Sequence, residues 1–313
     1  MHAAVLMYAP DSGRMNNTIM MDRKTFIKSL VILPFTAAGM KVNGLNKMTE
    51  PLGKTYKMPV LFLGHGSPMN AIEENEFVTG FRNIAKDIPK PNAILCVSAH
   101  WETKGTFVTA MQNPPTIHDF GGFPKELFAV QYPAPGSPDL AKQTKSLVTK
   151  TEVVLDEKWG LDHGAWSVIK HLYPNADIPV IQMSIDYSQS PQYHYELAQQ
   201  IKSLREKGVL IIGSGNIVHN LGKVEWQRLN ETFGYDWALE ANEKMKKFIL
   251  EGNHKELINF RAQGKVFDLA IPTPEHYLPL LYSLALQDKN EGVKFFNDKA
   301  VAGALTMTSL KIG

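Results

Sequence analysis

From about residue 58, short apolar runs alternate with longer segments in which apolar residues recur at the period of a helix. Such runs are typical of buried β-strands, and the periodic segments are typical of amphipathic helices. The runs predict strands at 59–63, 93–98, 107–110, 151–155, 179–185, 209–212 and 305–310. The periodic segments predict helices at 73–88, 139–148, 165–172, 191–206, 236–250, 254–263 and 275–286. The alternation indicates a single α/β domain, residues 58–313, with a mainly parallel or mixed central sheet flanked by helices.

Two loops interrupt this alternation. Residues 112–138 form a long segment with many proline and glycine residues, and residues 159–166 form a second, glycine-containing loop. A loop as long as the first is unusual inside a compact domain, and such loops often have a functional role. We therefore expect part of the site to come from these connections.

The first 50 residues have a different pattern. From Met21 a basic stretch is followed by an apolar stretch and then by small residues, which is the order of an export signal. Residues 22–28 resemble a twin-arginine signal with Lys24 in place of the second arginine. The alternative is a disordered or amphipathic leader on a cytoplasmic protein, so both a periplasmic and a cytoplasmic location stay open. The apolar stretch is too short to span a bilayer as a helix.

Composition narrows the range of partners. The 313 residues include 33 basic and 31 acidic side chains, and no basic patch stands out, so we do not expect a nucleic-acid partner. Cys96 is the single cysteine, which excludes an intrachain disulfide and a cysteine-rich zinc cluster. The remaining chemistry therefore has to come from histidines, carboxylates and hydroxyls.

Four histidines lie at or beside the ends of apolar, strand-like runs. His65, His100 and His219 follow such runs, and His276 lies in the segment PTPEHYLP. Parallel strands present their C-terminal ends at one edge of an α/β sheet, so residues far apart in the chain can meet there. Several imidazoles at one point suggest a metal site. Glu275 is either an acid favoured by a helix N-terminus or a ligand, because two histidines with one carboxylate are a common Fe(II) set.

Two further histidines lie on the long loops. His118 and His163 each have an aspartate beside them and a glycine nearby, which is compatible with a lid residue, a proton carrier or a substrate clamp. The sequence has no HExxH, no Walker loop, no complete dinucleotide-binding glycine fingerprint and no G-x-S-x-G nucleophile elbow. Spacing alone therefore predicts a mononuclear, histidine-rich metal site in an α/β domain.

Seven ordered motifs carry a more specific signal. They are GHGSPMN (64–70), SAHW (98–101), PPTIHDFGGFP (114–124), YPAPGSP (132–138), WGLDHGAW (159–166), GSGNIVHNL (213–221) and PTPEHYLPLL (272–281). Together they resemble the DODA-type extradiol aromatic ring-opening dioxygenases, which are class III, LigB-like enzymes. The resemblance covers residues 58–313 and leaves out only the leader.

The resemblance implies an α/β fold around one divalent metal per chain. It implies that His65 and His100 are metal ligands and that His276 is the third, with Glu275 as the alternative third ligand. His219 is implied to lie against the metal, as a fourth ligand or as the acid/base. Members of the family are often found with zinc, whereas oxygen chemistry requires Fe(II).

The resemblance also implies the reaction and its partners. His219, His163 and His118 are the expected catalytic residues, with the last two lining the substrate pocket. The expected activity is extradiol ring opening of a small, DOPA-like catechol with insertion of both atoms of O2, and no stable membrane insertion is expected. The alternatives are a zinc-dependent hydrolase or amidase of a small substrate, with a base such as Glu275, and a non-catalytic metal-binding protein.

Overall fold

The computed structural model describes residues 56–229 and 231–313 of the chain. The predicted leader, residues 1–50, and its export-signal pattern lie outside the described residues, and the location of the protein stays a prediction. No helix in the described part has both the length and the apolar content that crossing a bilayer requires.

The centre of the fold is a mixed eight-stranded sheet with the order β4-β3-β5-β2-β6-β1-β10-β7. Its strands are β1 (Val60–Gly64), β2 (Ala93–Thr103), β3 (Thr106–Thr109), β4 (Val153–Asp156), β5 (Val180–Asp186), β6 (Val209–Gly215), β7 (Val293–Phe296) and β10 (Ser309–Ile312). The short strands β8 (Ala300–Val301) and β9 (Leu305–Thr306) pair with each other. The four central strands β5, β2, β6 and β1 are parallel, and β10 and β7 are antiparallel additions at one side.

Helices cover the sheet. They are α1 (Glu76–Lys86), α2 (Lys125–Phe128), α3 (Pro138–Leu147), α4 (His163–Leu172), α5 (Pro191–Gln200), α6 (Asp236–Leu250), α7 (His254–Ile258), α8 (Lys265–Ala270) and α9 (Leu278–Ala285). Short 3-10 turns add Pro68–Ala71, Lys202–Lys207, Leu221–Lys223, Trp226–Arg228 and Phe260–Gln263. The prediction of one α/β domain with a mixed central sheet flanked by helices is confirmed.

The central strands are apolar on both faces. In β1, Val60 and Phe62 belong to one core, whereas Leu61 and Leu63 belong to the core on the opposite face. Successive side chains of a strand point to opposite sides, so a strand buried on both faces needs an unbroken apolar run. Because helices cover both faces, polar side chains of the central strands are expected at the strand ends, and functional residues can lie there.

The predicted boundaries differ from the structure near the site. Strand β2 continues through a register irregularity to Thr103, so His100 lies within the strand and not after it. Helix α4 begins at His163, which therefore opens a helix and does not lie in a loop. Helix α9 begins at Leu278 and not at residue 275, since Pro279 lacks the N–H that any position beyond the first helical turn must donate.

Other differences lie at the edge of the sheet. The predicted strand 305–310 is two strands, β9 and β10, and the sequence pattern did not predict β7. The predicted helix 191–206 ends at Gln200 and continues as a 3-10 turn that Gly208 closes at φ +75°. These elements take their form from pairing and packing partners far away in the chain.

Strand register brings the candidate residues to one edge. Gly64 of β1 pairs with Gly215 of β6, and Ser98 of β2 pairs with Ser214 of β6. His65 follows the last paired residue of β1 by one position, and His100 follows the last residue of β2 that pairs with β6 by two positions. The three strands β2, β6 and β1 are adjacent and parallel. The site forms where these C-terminal ends meet.

Candidate metal centre

Five imidazoles meet at this edge and line one cavity: those of His65, His100, His163, His219 and His276. The ring centroids of His65, His100 and His276 lie 5.0 to 5.3 Å apart. His163 lies 3.8 Å from His100 by the same measure, and His219 lies 3.5 Å from His276. The structure thus brings together residues from five separate segments of the chain.

The hydrogen bond at the back of His65 fixes which of its nitrogens carries the proton. The hydroxyl of Ser214 donates to the carbonyl of Gly164. It can therefore only accept from His65, whose Nδ1 donates to it over 3.1 Å. The opposite nitrogen, Nε2, keeps its lone pair and is available to a cation.

His65 and His100 point their Nε2 atoms at each other, 3.1 Å apart. Two nitrogens bound to one ion at about 2.1 Å are separated by roughly 3.0 to 3.4 Å at tetrahedral or octahedral angles. Burial lowers the pKa of both rings, that of His100 to about 3, so both are neutral near pH 7. Neutral imidazoles at this spacing fit two ligands of a single metal ion.

Glu275 supports His276 from behind. The carboxylate Oε1 accepts from Nδ1 of His276 over 3.1 Å and from the hydroxyl of Thr273 over 2.9 Å. A proton on Nδ1 leaves Nε2 of His276 free to bind a metal, which is the usual arrangement of a metal-ligating histidine and its carboxylate partner. This geometry favours His276 over Glu275 as the ligand.

His219 stacks on His276 with the two rings within 6° of parallel. Its backbone N–H donates to Ala270, which holds the segment in place. No hydrogen bond to its ring is found among the described residues, and burial lowers the pKa of the ring to about 4. His219 is therefore a neutral imidazole that can take up a proton or coordinate an ion. Its ligand atoms and those of Glu275 and His276 lie within 4.8 Å of one another.

His163 is held by Asp119, a residue that the sequence did not single out. The backbone N–H and Nδ1 of His163 donate to the two carboxylate oxygens of Asp119, over 2.8 and 2.9 Å. Burial alone would raise the pKa of Asp119, but the bonds from His163 outweigh it and lower that pKa. Asp119 thus stays ionised, and with Nδ1 of His163 bonded to it, Nε2 is the nitrogen left free. One ligand atom each of His163, His65 and His100 lies within 4.8 Å of the others. The only sequence signal was an aspartate in the long loop beside His118.

His118 is not placed where a catalytic residue would be. Its Nε2 donates to the carbonyl of Val130 over 3.0 Å, and its ring packs against Phe120, Phe128 and Trp166. It is not among the residues that line the cavity. This placement does not support the expectation that His118 lines the substrate pocket, because its ring nitrogen is used to close the loop; the role of His118 stays a prediction.

Asp162 ties the supporting elements together. This buried carboxylate caps helix α4 and accepts hydrogen bonds from Ser98 on β2 and Gln182 on β5, over 2.6 and 2.7 Å. Burial raises its pKa, although these bonds oppose the shift. The next residue but one, Gly164, lies so close to β2 that a Cβ would be 2.5 Å from Ser98 Oγ. The pair fixes the start of α4, and hence His163, against the strand that carries His100.

The cavity around the imidazoles is otherwise apolar. Its volume is about 470 Å³. Apart from the histidines it is lined by Gly66, Ser67, Pro68, Phe120, Gly121, Gly122, Phe123, Leu221, Val224, Trp226, Leu229 and Leu305. A dry wall around a few convergent polar groups is typical of small-molecule sites.

The donor set fits a borderline divalent metal. Imidazole nitrogens suit zinc and iron, and no thiolate is present, because Cys96 is buried elsewhere in the core. The Nε2 atoms of His65 and His100 face each other in a buried cluster, at a spacing that one ion can bridge. The residues therefore fit one bound ion. Their individual roles remain proposals.

Comparison with protein families gives one match over most of the chain. The family described as "Catalytic LigB subunit of aromatic ring-opening dioxygenase" matches residues 59–307. All five clustered histidines lie inside that range. The resemblance seen in the sequence motifs is confirmed.

Curated proteins and solved structures agree with this match. The chain is 45% identical over 261 residues to the 4,5-DOPA dioxygenase extradiol of Escherichia coli K12, covering 82% of this chain and 95% of that protein. It is 34% identical over 257 residues to the enzyme of the same name from Beta vulgaris, covering 80% and 94%. The crystal structure of an uncharacterized protein from Escherichia coli K12 matches with a TM-score of 0.71 and 40% identity, over 82% of this chain and all of that one.

Proposed function

Because this chain belongs to the family of the catalytic LigB subunit of aromatic ring-opening dioxygenases, we propose that it opens the ring of a small, DOPA-like catechol beside the diol, with insertion of both atoms of O2. The observation that carries the proposal is the convergence of five imidazoles on one apolar cavity. Two of them, His65 and His276, donate from Nδ1 and so leave Nε2 unprotonated. The two relatives named 4,5-DOPA dioxygenase extradiol support the choice of substrate class.

We assign the metal ligands to His65, His100 and His276. Nδ1 of His65 donates its proton to Ser214, and Nδ1 of His276 donates its proton to Glu275. When bound, the metal would polarise the catechol oxygens and, as Fe(II), would supply electrons to dioxygen, which zinc cannot do. Fe(II) for activity and zinc as the ion found after purification are both part of the proposal.

His219 is assigned as the acid/base. Burial lowers its pKa to about 4, so the ring is neutral near pH 7 and keeps a lone pair beside the ligand set. That lone pair would take the proton of a catechol hydroxyl made more acidic by the bound metal. The stacked ring of His276 keeps His219 beside the ligand set. The same nitrogen can return the proton to the opened product.

His163 is assigned to the substrate oxygens. Asp119 holds its Nδ1 proton and stabilises the ring if Nε2 becomes protonated as well. A charged imidazole at this position would stabilise negative charge on oxygen during the reaction. This pairing gives His163 a role that differs from that of His219, which has no carboxylate bonded to its ring among the described residues.

The apolar lining completes the site. Phe120 and Phe123 meet edge to face, with centroids 5.4 Å apart, and form one side of the cavity. A flat aromatic substrate can pack against this wall, and the exclusion of water protects a charged, oxygen-reactive substrate from side reactions.

A hydrolase is less well supported. Metal-assisted hydrolysis needs a carboxylate free to take a proton from metal-bound water. The candidate base, Glu275, is bonded through Oε1 to Thr273 and to Nδ1 of His276, on the side of that ring away from Nε2. Asp119 is occupied in the same way by His163.

Oxygen consumption tests the proposal. Protein reconstituted with Fe(II) without oxygen should consume one O2 per catechol when mixed with aerated substrate and should form a yellow, ring-opened product. The zinc-loaded protein should bind the catechol and consume no oxygen. Turnover of an amide or ester by the zinc form, with no oxygen uptake by the Fe(II) form, would support the hydrolase instead.

A further inference from the structure

The mouth of the cavity carries a set of exposed apolar side chains. Leu221, Trp226 and Leu229 line the cavity and are 50%, 61% and 39% exposed. We call these three residues the apolar rim. Large apolar side chains left in water on one loop beside a ligand cavity indicate a surface that something covers.

The loop that carries the rim is anchored at several points. The backbone N–H of Asn220 donates to Ala304 and that of Glu225 donates to Ala302, over 3.1 and 3.0 Å. The side chain of Asn220 also donates to Leu269 over 2.8 Å. The rim residues are therefore presented from a fixed backbone, and they lie on the same cavity as the imidazoles.

The described lining of the cavity offers no ion pair to a charged substrate group. Among the described residues that line the cavity, none carries a carboxylate, an ammonium or a guanidinium group. Asp119 and Glu275 lie behind imidazoles, where each already accepts hydrogen bonds. A charged group brought into such a cavity without a partner loses its hydration and gains no ion pair.

The neighbouring cavity adds no cationic lining residue for a carboxylate among the described residues. A neighbouring cavity of about 480 Å³ shares Ser67 and Leu229 with the first and carries Glu73, Glu74 and Glu76. Glu74 and Glu76 are paired with Arg82 and Lys299, so these two cations are already used, and Glu73 would oppose a carboxylate-bearing substituent. An amino-acid head group that leaves the mouth on this side therefore stays in water.

We infer that the apolar rim binds the hydrocarbon part of the ring substituent of the catechol, and that none of the described residues lining the cavity is an ionic partner for a charged end of that substituent. The inference rests on the proposed function, which places the diol at the imidazoles and hence the substituent toward the mouth. Affinity then follows the apolar length of the substituent and not its charge, and Trp226, the most exposed of the three, is a specificity-determining residue.

Binding measurements on zinc-loaded protein without oxygen test this directly, because that form binds without turnover. Calorimetric titrations would compare propylcatechol, dopamine, dihydroxyphenylpropionate and DOPA. We expect propylcatechol to bind at least as tightly as DOPA. Tighter binding of DOPA than of propylcatechol would overturn the inference, since it would require an ionic partner for the head group.

Substitution of the rim gives a second readout. Trp226→Ala should weaken propylcatechol by about fivefold, the loss expected for one aromatic contact, and by a larger factor than it weakens unsubstituted catechol. Trp226→Phe should keep most of the affinity for propylcatechol. This variant tests the role of the aromatic ring even if the alanine variant folds poorly. Tyr187→Ala is the matched control, because Tyr187 is 60% exposed but does not line the cavity. Equal losses for both catechols in Trp226→Ala would contradict the role of the rim.

The same samples separate this inference from the proposed function. If the Fe(II) form consumes no oxygen with any catechol while the binding order holds, ring opening fails and the binding role of the rim stands. If oxygen is consumed but DOPA binds most tightly, ring opening stands and the role of the rim fails.

Discussion

Oε1 of Glu275 lies 3.1 Å from Nδ1 of His276, on the side of the ring away from its free Nε2. The two residues are adjacent in the chain, yet one faces the cluster and the other holds it in position. The sequence left open which of them binds the metal, and this relationship favours His276.

The ligand assignment predicts different metal contents for two variants. His276→Ala should lose nearly all bound metal after dialysis, because a ligand is removed from a three-histidine set. Glu275→Gln should keep the metal but bind it about tenfold more weakly, as is usual when a partner behind a ligand is lost. Metal analysis with a competing chelator measures both. If Glu275→Gln loses metal as completely as His276→Ala, the carboxylate is itself a ligand.

His219 should be separable from the ligands by the same method. His219→Gln should retain metal and lower kcat by about a hundredfold or more, the range for removal of a general acid/base. His65→Ala serves as the reference variant and should abolish metal retention. Equal metal loss in the two variants would make His219 a fourth ligand and remove its assigned role in proton transfer.

Asp119 should act through His163. Asp119→Asn removes the carboxylate that holds Nδ1, so kcat should fall by about tenfold or more while metal content changes little. Asp139→Asn is a suitable control, since its side chain is 78% exposed on helix α3 and distant in sequence from the site. An Asp119→Asn enzyme with unchanged kcat and pH profile would show that the pair is only structural.

Buried histidines should make the metal-free protein sensitive to acid. His194 is fully buried, bonded to Tyr282, and burial lowers its pKa to about 4. Between the ordinary histidine pKa of about 6.5 and this value, the unfolded state binds the extra proton and the folded state does not, so stability falls as pH falls. The expected loss from this residue is about 2 kcal/mol between pH 7 and pH 5.

Denaturant unfolding at several pH values measures this effect. In His194→Gln the free energy of unfolding should depend less steeply on pH between 7 and 5, whatever its absolute value. An unchanged slope would show that His194 does not resist protonation in the folded state.

The sequence predicted the edge of the sheet where the site forms, because histidines after buried strands have one place to meet. It could not rank His118 and His163, since both have an aspartate beside them and a glycine nearby. Only the folded loop shows that His118 donates its ring proton to Val130 and that His163 donates its Nδ1 proton to Asp119. Local sequence does not report such partners, which are 12 and 44 residues away from the histidines that they hold.

The edge strands were missed for a related reason. Strand β7 (VKFF) has neither an alternating pattern nor a buried apolar run, and it is a strand because it pairs with β10. The extension of β2 past His100 likewise depends on pairing with β5 across an irregular register. Tertiary pairing decides both, whereas the long apolar strands and the periodic helices were visible in the sequence.

X-ray absorption spectroscopy of the Fe(II)-loaded protein, prepared without oxygen, most directly tests whether these imidazoles hold one metal ion. Three or four imidazole nitrogens at about 2.1 Å from a single ion are predicted, and His276→Ala, which should not retain the ion, should give no such shell. A spectrum with fewer than two imidazoles, or one that His65→Ala and His100→Ala leave unchanged, would contradict the account.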